Sequence, residues 1–382
     1  MAQRHLHVEV KIEQRAKQGR QACGDVASIL RSETETSVIV CDGVGSGAAA
    51  HVAAAMCRAR CEQMLNRGFS LRETFLRIAA SMEQYKQPGK PYAAFTIAQI
   101  RTNGHTQAMA YESPPPIWVT SRQAQPLGMR RFMHDTIAGS EATCYLRNGE
   151  GLMLLSDGIT QAGMDTHPGG WQAHGVAETI NRLLGKHPMA ELPLLIQQKA
   201  LSLNKGIDHD DATVAWIACR PARPLNILTG PPADKARDRP VVERFMAMPG
   251  PKVVCGATTA EIVARVLGRT LEIEKEPASL IAPPKYLLEG VDLVTEGAVT
   301  LNQLNNILEL DPDALYEINA VTDLYDLMTD ADRLYITLGA GKNPANEDTC
   351  FVQRGVLTRE KIIPLIADKL RRQGKCVILE TA

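Results

Sequence analysis

The chain has 382 residues, of which 45% are hydrophobic, 22% are charged and 4% are aromatic. This length suits two domains, each able to bury its own core, and the composition is that of a globular protein. The 42 basic and 43 acidic side chains give a formal net charge of −1, so neither nucleic acid nor an anionic membrane is predicted as a partner. We find no apolar run long enough to cross a bilayer and no apolar signal core at the beginning, and therefore expect a cytoplasmic protein.

Nine cysteines are scattered along the chain without a Cys-x-x-Cys pair. Free thiols in a reducing compartment are their expected state. A zinc or iron–sulfur site is not predicted, because it would need a second pair of ligands at suitable spacing.

The pattern of the first 220 residues predicts an α+β layered domain. Apolar alternation and β-branched runs predict strands at 4–16, 36–44, 92–101, 107–111, 117–120, 142–146, 151–155 and 213–218. Helical spacing of apolar residues predicts helices at 47–66, 71–85, 176–184 and 189–204.

The pattern changes near residue 222, after the linker-like sequence RPAR that begins at Arg220. From there strands and helices alternate: a strand from Leu225, a charged helix to about Met248, a strand at 252–256 and a helix at 259–267. Such alternation predicts a smaller α/β domain with a mostly parallel sheet. The predicted domains are therefore 1–222 and 223–382.

Several aspartates of the first half lie at the ends of predicted strands. Asp42 ends an apolar strand and begins the sequence DGVGSG, and Asp157 also follows an apolar strand and precedes glycine. Asp210 and Asp211 come directly before a predicted strand. Asp25 follows Gly24 and also comes directly before a strand-like run. Each alone could be an ordinary turn aspartate, because Asp-Gly is common in tight turns.

Carboxylates at neighbouring strand ends would meet at one edge and repel each other unless cations neutralise them. Their hard oxygen ligands suit Mg²⁺ or Mn²⁺. A glycine beside a ligating aspartate allows close approach of the backbone and offers its own carbonyl, as at Gly43. Two such ions could share one water, lower its pKa and direct it in line at a phosphorus atom.

In this order the motifs resemble the metal-dependent protein phosphatases (PPM, type 2C), in particular the stage II sporulation protein E-like bacterial branch, over roughly residues 5–220. The resemblance implies an αββα-layered β-sandwich for residues 1–222. It also implies catalysis through a dinuclear Mn²⁺ or Mg²⁺ centre and metal-activated water.

By this resemblance Asp42 would bridge both metals and the Gly43 carbonyl would complete one site. Asp157 and Asp210 would hold the other metal, and Asp25 would bind directly or through water. Alignment of the following Ala-Thr-Val favours Asp210 over Asp211 as the ligand, although both are candidates.

Three positions depart from the family pattern or leave it open. Ser46 stands where many relatives carry histidine. The sequence YESPPP from Tyr111 replaces a stretch that often reads NAGHPP, so what lines the cleft at Glu112 is open. Arg20 is a candidate phosphate-binding residue, with a solvated surface arginine as the alternative.

The function implied is hydrolysis of phosphoserine or phosphothreonine on a regulatory partner protein, such as a small anti-sigma antagonist. The alternative is a catalytically weak or inactive phosphatase-fold signalling protein that acts by binding partners. A homodimer is a candidate assembly.

The second half offers weaker signals and resembles C-terminal extensions on some members of the group. Thr258 or Thr259 could cap a helix or help bind an anion at its N-terminus. The sequence GAGK from Gly339 is similar to a fragment of a phosphate loop but lacks its spacing, and Asn343 replaces the expected Ser or Thr. Regulation, ligand sensing and dimerisation all stay open for this half.

Overall fold

The computed structural model describes residues 5–45, 47–86, 90, 92–274, 284–311, 318–341 and 356–382. It divides the chain into two compact units, whose main segments are Gln3–Pro221 and Ala222–Ala382. Within the described ranges, every helix is too short or too polar to cross a bilayer. Ser46 of the glycine turn, and Lys342 and Asn343 of the stretch similar to a phosphate loop, lie outside the described residues.

The N-terminal unit is built from antiparallel strands and flanking helices. Its strands are β1 (Leu6–Arg15), β2 (Val26–Arg31), β3 (Glu35–Gly43), β4 (Ala93–Arg101), β5 (His105–Tyr111), β6 (Ile117–Val119), β7 (Ala124–Pro126), β8 (Arg130–His134), β9 (Ile137–Tyr145), β10 (Gly151–Leu155) and β11 (Ala212–Pro221). Its helices are α1 (Ala48–Asn66), α2 (Leu71–Tyr85), the single turn α3 (Asp157–Thr160), α4 (Gln172–Leu183) and α5 (Leu192–Leu203), with a 3-10 turn at Met189–Glu191.

These strands form two sheets, in the orders β1-β11-β10-β6-β7 and β2-β3-β4-β5-β9-β8. Strand β3 explains why the layers stack. Val38 and Val40 pack into the core between the sheets, whereas Ile39 and Cys41 pack beneath α1 and α2. Because both faces are buried, the strand reads as a continuous apolar run and not as an alternating one.

The helices cover the two outer faces of the sandwich. Phe75 and Ile78 of α2 pack on the sheet that contains β3, and a capping box between Ser70 and Glu73 fixes the start of this helix. Val176 of α4 and Ile196 of α5 pack on the other sheet. The predicted αββα-layered sandwich is therefore confirmed.

The C-terminal unit has a mixed, mostly parallel sheet of order β14-β15-β16-β13-β12-β17-β18. Its strands are β12 (Pro224–Thr229), β13 (Lys252–Cys255), β14 (Glu272–Ile273), β15 (Lys285–Leu287), β16 (Leu293–Thr295), β17 (Arg333–Leu338) and β18 (Cys376–Thr381). Its helices are α6 (Asp238–Ala247), α7 (Ala257–Leu267), α8 (Ala298–Ile307), α9 (Ala320–Asp330) and α10 (Arg359–Arg372), with a 3-10 turn at Lys235–Arg237.

Helices cover both faces of this sheet, as a parallel sheet requires. The core on one face is formed with α6 and α7, and the core on the other with α8, α9 and α10. The pairs of β12 with β13 and β17, of β13 with β16 and of β17 with β18 are parallel, and only the β14–β15–β16 strands pair antiparallel among those described. The predicted α/β class of this half is confirmed.

Helix α7 begins differently from the expectation. Its N-cap is Gly256, without a side-chain capping hydrogen bond, so the expected cap at Thr258 or Thr259 is wrong. The Thr259 hydroxyl instead accepts a hydrogen bond of 2.9 Å from the backbone N–H of Gly230, which joins the end of β12 to α7.

Candidate metal centre

Asp42 and Asp157 come together where the two sheets of the N-terminal unit meet. Asp42 is paired with Ala94 near the end of β3 in one sheet. Asp157 begins α3, two residues after the end of β10 in the other sheet. The backbone N–H of Asp157 donates to Asp42 Oδ2 at 3.4 Å. Two strand ends separated by 115 residues in sequence therefore place their aspartates side by side.

Asp25 lies in the same region and is buried, with 2% of its surface exposed. Its Oδ2 accepts a hydrogen bond of 2.7 Å from the hydroxyl of Thr213 in β11, so it also joins the two sheets. The backbone N–H of Thr213 in turn donates to Ser156 Oγ at 2.8 Å. Asp25 Oδ1 is buried and has no hydrogen-bond partner among the described residues. An unsatisfied carboxylate oxygen of this kind is what an added cation would stabilise.

The electrostatics of the cluster are unfavourable without added positive charge. Burial, followed by the negative charges of Asp25 and Asp157, raises the pKa of Asp42 far above the ordinary carboxyl value. Burial also raises the pKa of Asp25, and the charges of Asp211 and Asp157 add to it. The pKa of Asp210 is raised by burial and by the charge of Asp157. Hard divalent cations such as Mg²⁺ or Mn²⁺ would relieve this repulsion.

The glycines beside the aspartates are required by packing. A Cβ on Gly43 would lie 2.1 Å from the carbonyl oxygen of Ala50 in α1, and one on Gly158 would lie 2.1 Å from the carbonyl oxygen of Asp211. Both distances are far below van der Waals contact, so no other residue fits at either position. The Asp-Gly pattern therefore reflects how closely α1 and β11 approach the two aspartates, in addition to any contact with an ion.

The neighbours Asp210 and Asp211 have different surroundings. Asp211 is 4% exposed, and its Oδ1 accepts a hydrogen bond of 2.9 Å from the backbone N–H of Lys17 in the β1–β2 connection. Asp210 is only partly buried, and its Oδ1 accepts from the backbone N–H of Asp211 at 2.9 Å. The Lys17 contact holds one carboxylate oxygen of Asp211, whereas the only hydrogen bond to Asp210 Oδ1 among the described residues comes from its neighbour Asp211.

Arg20 lies beside the glycine turn that follows Asp42. It is exposed, and its Nη1 is 3.6 Å from where a Cβ on Gly47 would stand. Gly47 is the N-cap of α1. The same β1–β2 connection is joined to α1 by a contact of 2.8 Å between His51 Nδ1 and the Cys23 carbonyl oxygen. Arg20 is therefore close to the glycine turn that follows Asp42, and its phosphate-binding role stays a prediction.

Supporting residues that the sequence argument missed hold these aspartates. Gln161 Nε2 donates to Asp157 Oδ2 at 2.9 Å from one turn further along the chain. Ser156 and Thr213 lie inside the aspartate motifs, so their hydroxyl groups could have been predicted as hydrogen-bond partners of the aspartates. For Gln161 the signal was only its position four residues after Asp157, which places the two side chains on one helical face.

Within the described ranges, no three His, Cys, Asp or Glu side chains form a preformed group able to hold a metal ion. The carboxylates are nevertheless of the right chemistry for Mg²⁺ or Mn²⁺. A cation would pair with the unpartnered Oδ1 of Asp25 and relieve the mutual repulsion of the aspartates, so the chemistry of these residues is compatible with such ions.

The sandwich of two sheets with flanking helices defines the class as a PP2C-type phosphatase fold. The PP2C phosphatase domain with a fragment of the regulatory domain of SpoIIE from Bacillus subtilis is 17% identical, with a TM-score of 0.50 over 57% of this chain. The match covers 63% of that chain, which is less than two thirds of its length. Residues 32–220 match the family model of stage II sporulation protein E (SpoIIE). The sequence of the N-terminal domain is therefore similar to that of the SpoIIE family over these residues.

Two other solved structures are similar to parts of this chain. The RsbU and RsbW domains of a Mycobacterium tuberculosis protein are 19% identical, with a TM-score of 0.46 over 63% of this chain and 68% of that one. RsbX in complex with magnesium is 18% identical, with a TM-score of 0.41 over 56% of this chain and 96% of that one. A sequence search of curated proteins found no significant relative.

Proposed function

We propose that the N-terminal domain is a protein serine/threonine phosphatase that works in the cytoplasm through two Mn²⁺ or Mg²⁺ ions. The observation that carries the proposal is the convergence of aspartates from both sheets. Asp42 and Asp157 are in contact, and Asp25 is buried with one carboxylate oxygen unpartnered among the described residues. Clustered buried carboxylates are costly unless they bind cations, so this arrangement is difficult to explain as packing alone.

The proposed ligands are those that the family resemblance suggests. Asp42, the Gly43 carbonyl, Asp157 and Asp210 would hold the two ions. Asp25 would bind directly or through water. Asp211 is the weaker candidate ligand, because one of its oxygens already accepts from the Lys17 backbone.

When bound, the ions would neutralise the substrate phosphate and lower the pKa of a water molecule that attacks phosphorus. The protein's own residues hold the geometry. Thr213 fixes Asp25, Gln161 fixes Asp157, and the backbone N–H of Asp157 fixes Asp42. Arg20 lies beside Gly47 at the positive end of α1, where a guanidinium group would orient a phosphate monoester.

The substrate we propose is a phosphorylated regulatory protein, with a small anti-sigma antagonist as the expected class. The support is the family relationship together with the RsbU and RsbW domains named among the similar structures. Peptides carrying phosphoserine, phosphothreonine or phosphotyrosine test the residue specificity. Faster hydrolysis of phosphotyrosine than of the other two would contradict the serine/threonine assignment.

Manganese-dependent hydrolysis of p-nitrophenyl phosphate by the full chain tests the enzymatic proposal. We expect Asp42→Asn to lower the rate at least about 100-fold, the scale seen when one charge-stabilising group is removed from a catalytic site. Asp208→Asn is the matched control, because Asp208 is close in sequence to Asp210 but pairs with Arg15 at 3.1 Å. If the wild type is inactive and Asp42→Asn changes nothing, the domain is a partner-binding protein without catalysis.

For residues 223–382 we propose a regulatory role. Hydrolysis by the full chain is compared with hydrolysis by residues 1–222, whose folding is checked by circular dichroism. Equal rates from two folded proteins, over a range of Mn²⁺ concentrations, would argue against regulation of the basal activity.

A further inference from the structure

Glu112 combines an unusual backbone conformation with two side-chain contacts. It follows β5 directly and has a φ of 51°, in the left-handed region that favours glycine. One carboxylate oxygen, Oε1, forms an ion pair with Lys86 Nζ. The other, Oε2, accepts a hydrogen bond of 3.0 Å from the hydroxyl of Tyr92. A side chain kept in a backbone conformation that disfavours it points to a task for that side chain.

The two partners of Glu112 are the ends of one connection. Lys86 is the C-cap of α2, and Tyr92 immediately precedes β4. Lys86 Nζ also lies 5.7 Å from the centroid of the Tyr92 ring. One carboxylate group, that of Glu112, therefore holds the end of α2 and the residue before β4 together.

Tyr92 is joined through the backbone to residues 42–44, which we name the metal-binding turn because Asp42 and Gly43 are proposed ligands. Its carbonyl oxygen accepts a hydrogen bond of 2.9 Å from the N–H of Val44. The next residues of β4, Ala93 and Ala94, pair with Gly43 and Asp42. A shift of Tyr92 would therefore move the backbone at Asp42 and Gly43, two of the positions proposed to hold the metal ions.

We infer that Glu112 is a positioning residue for the metal-binding turn, because it clamps Lys86 and Tyr92 and so fixes the strand that pairs with Asp42 and Gly43. This inference rests on the proposed function. It also gives a task to the stretch beginning at Tyr111, where the sequence departs from the family pattern.

Two variants of the full chain distinguish loss of the Glu112 contacts from a general loss of folding. Glu112→Gln keeps an acceptor for Tyr92 but removes the charge that pairs with Lys86. Glu112→Gly removes both contacts and relieves the left-handed backbone, so its thermal stability should stay close to that of the wild type. The matched control is Glu141→Gln, since Glu141 also joins α2 to the same sheet, through Arg72 of α2 and Arg130 of β8.

Mn²⁺ binding is measured by isothermal titration calorimetry, alongside p-nitrophenyl phosphate hydrolysis and the thermal unfolding of the metal-free proteins. We expect Glu112→Gly to weaken Mn²⁺ binding about 10-fold, at the low end of the range for residues that orient metal ligands. Glu112→Gln should weaken it less, and Glu141→Gln should bind Mn²⁺ as the wild type does.

Each outcome decides for or against the inference. Weakened Mn²⁺ binding in a normally folded Glu112→Gly supports it, even if the wild type hydrolyses nothing, in which case only the proposed function fails. Unchanged binding in Glu112→Gly overturns the inference while leaving the phosphatase proposal intact. Equal loss in Glu141→Gln, or a wild type that binds no Mn²⁺, also overturns it.

Discussion

The buried carboxylates of the two units have opposite surroundings. In the C-terminal unit, Asp238 is 5% exposed and pairs with Arg265, and Asp332 is 4% exposed and pairs with Arg223. In the N-terminal unit, the pKa values of Asp25 and Asp42 are raised by burial and by the charges of other aspartates. A buried acid with an arginine beside it is explained by the fold, whereas acids that repel each other indicate a ligand of opposite charge.

The largest expected effect is on activity, and it comes from substituting an aspartate of the N-terminal cluster instead of the arginine-paired Asp238. Asp157→Asn should lower Mn²⁺-dependent hydrolysis at least about 100-fold, because it removes a proposed metal ligand. The metal-free variant should unfold at a temperature equal to or above that of the wild type, since one repulsive charge is gone. Asp238→Asn should keep the activity and lose about 1–3 kcal/mol of stability, because a charged hydrogen-bond partner of Arg265 is removed.

Hydrolysis assays and thermal unfolding monitored by circular dichroism give both quantities. The contrast between the two units would be wrong if Asp157→Asn destabilised the metal-free protein as much as Asp238→Asn does.

The next effect concerns pH in the absence of metal. The pKa values of Asp25, Asp42 and Asp210 in the folded protein lie above the ordinary value of 3.8. Above 3.8, and up to these raised values, the folded state binds more protons than the unfolded state, so the free energy of unfolding falls as the pH rises. Asp42→Asn removes a carboxyl group that loses its proton on unfolding, and should therefore stabilise the metal-free protein at pH 7 by about 1 kcal/mol.

This gain should shrink as the pH is lowered towards 5, because deprotonation of the unfolded wild-type carboxyl group is then less favourable. Urea unfolding of wild type and variant at several pH values, with a chelator present, measures the difference. A gain that is independent of pH would show that the carboxylates do not repel each other.

The smallest expected effect concerns Arg20. Arg20→Met should raise the KM for p-nitrophenyl phosphate about 3- to 10-fold, the value of one exposed charge-assisted contact. The Mn²⁺ affinity should not change, because Arg20 is a proposed phosphate ligand and not a metal ligand. Arg15→Met is the control, since Arg15 lies near the start of the same connection but pairs with Asp208. An unchanged KM in Arg20→Met would assign this arginine to the solvated surface.

The sequence predicted the elements that depend on local pattern. The apolar run ending at Asp42 predicted β3, and the spacing of Phe75, Ile78 and Met82 predicted the buried face of α2. The candidate aspartates came from their positions at strand ends, and their roles as metal ligands came from the family resemblance. Short segments of the sequence are enough to predict these features, because strand and helix periods repeat within a few residues.

Contacts between distant segments could not be predicted in the same way. The hydrogen bond from Thr213 to Asp25 and the clamp of Glu112 on Lys86 and Tyr92 depend on how the layers stack. The glycine beside Asp42 is a further example. The Asp-Gly pattern suggested that Gly43 lets the backbone approach an ion. The structure shows a second reason for glycine, because the carbonyl oxygen of Ala50 in α1 leaves no room for a side chain.

The bond between Thr213 and Asp25 has a consequence for when the site can form during synthesis. The two residues are 188 positions apart in the sequence, and β11 is the last strand of the sandwich. A growing chain that has not yet produced β11 lacks this bond and a central strand of one sheet. Contacts of such long sequence separation form late in folding. We therefore expect nascent chains to acquire tight Mn²⁺ binding only after almost all of the N-terminal domain has left the ribosome.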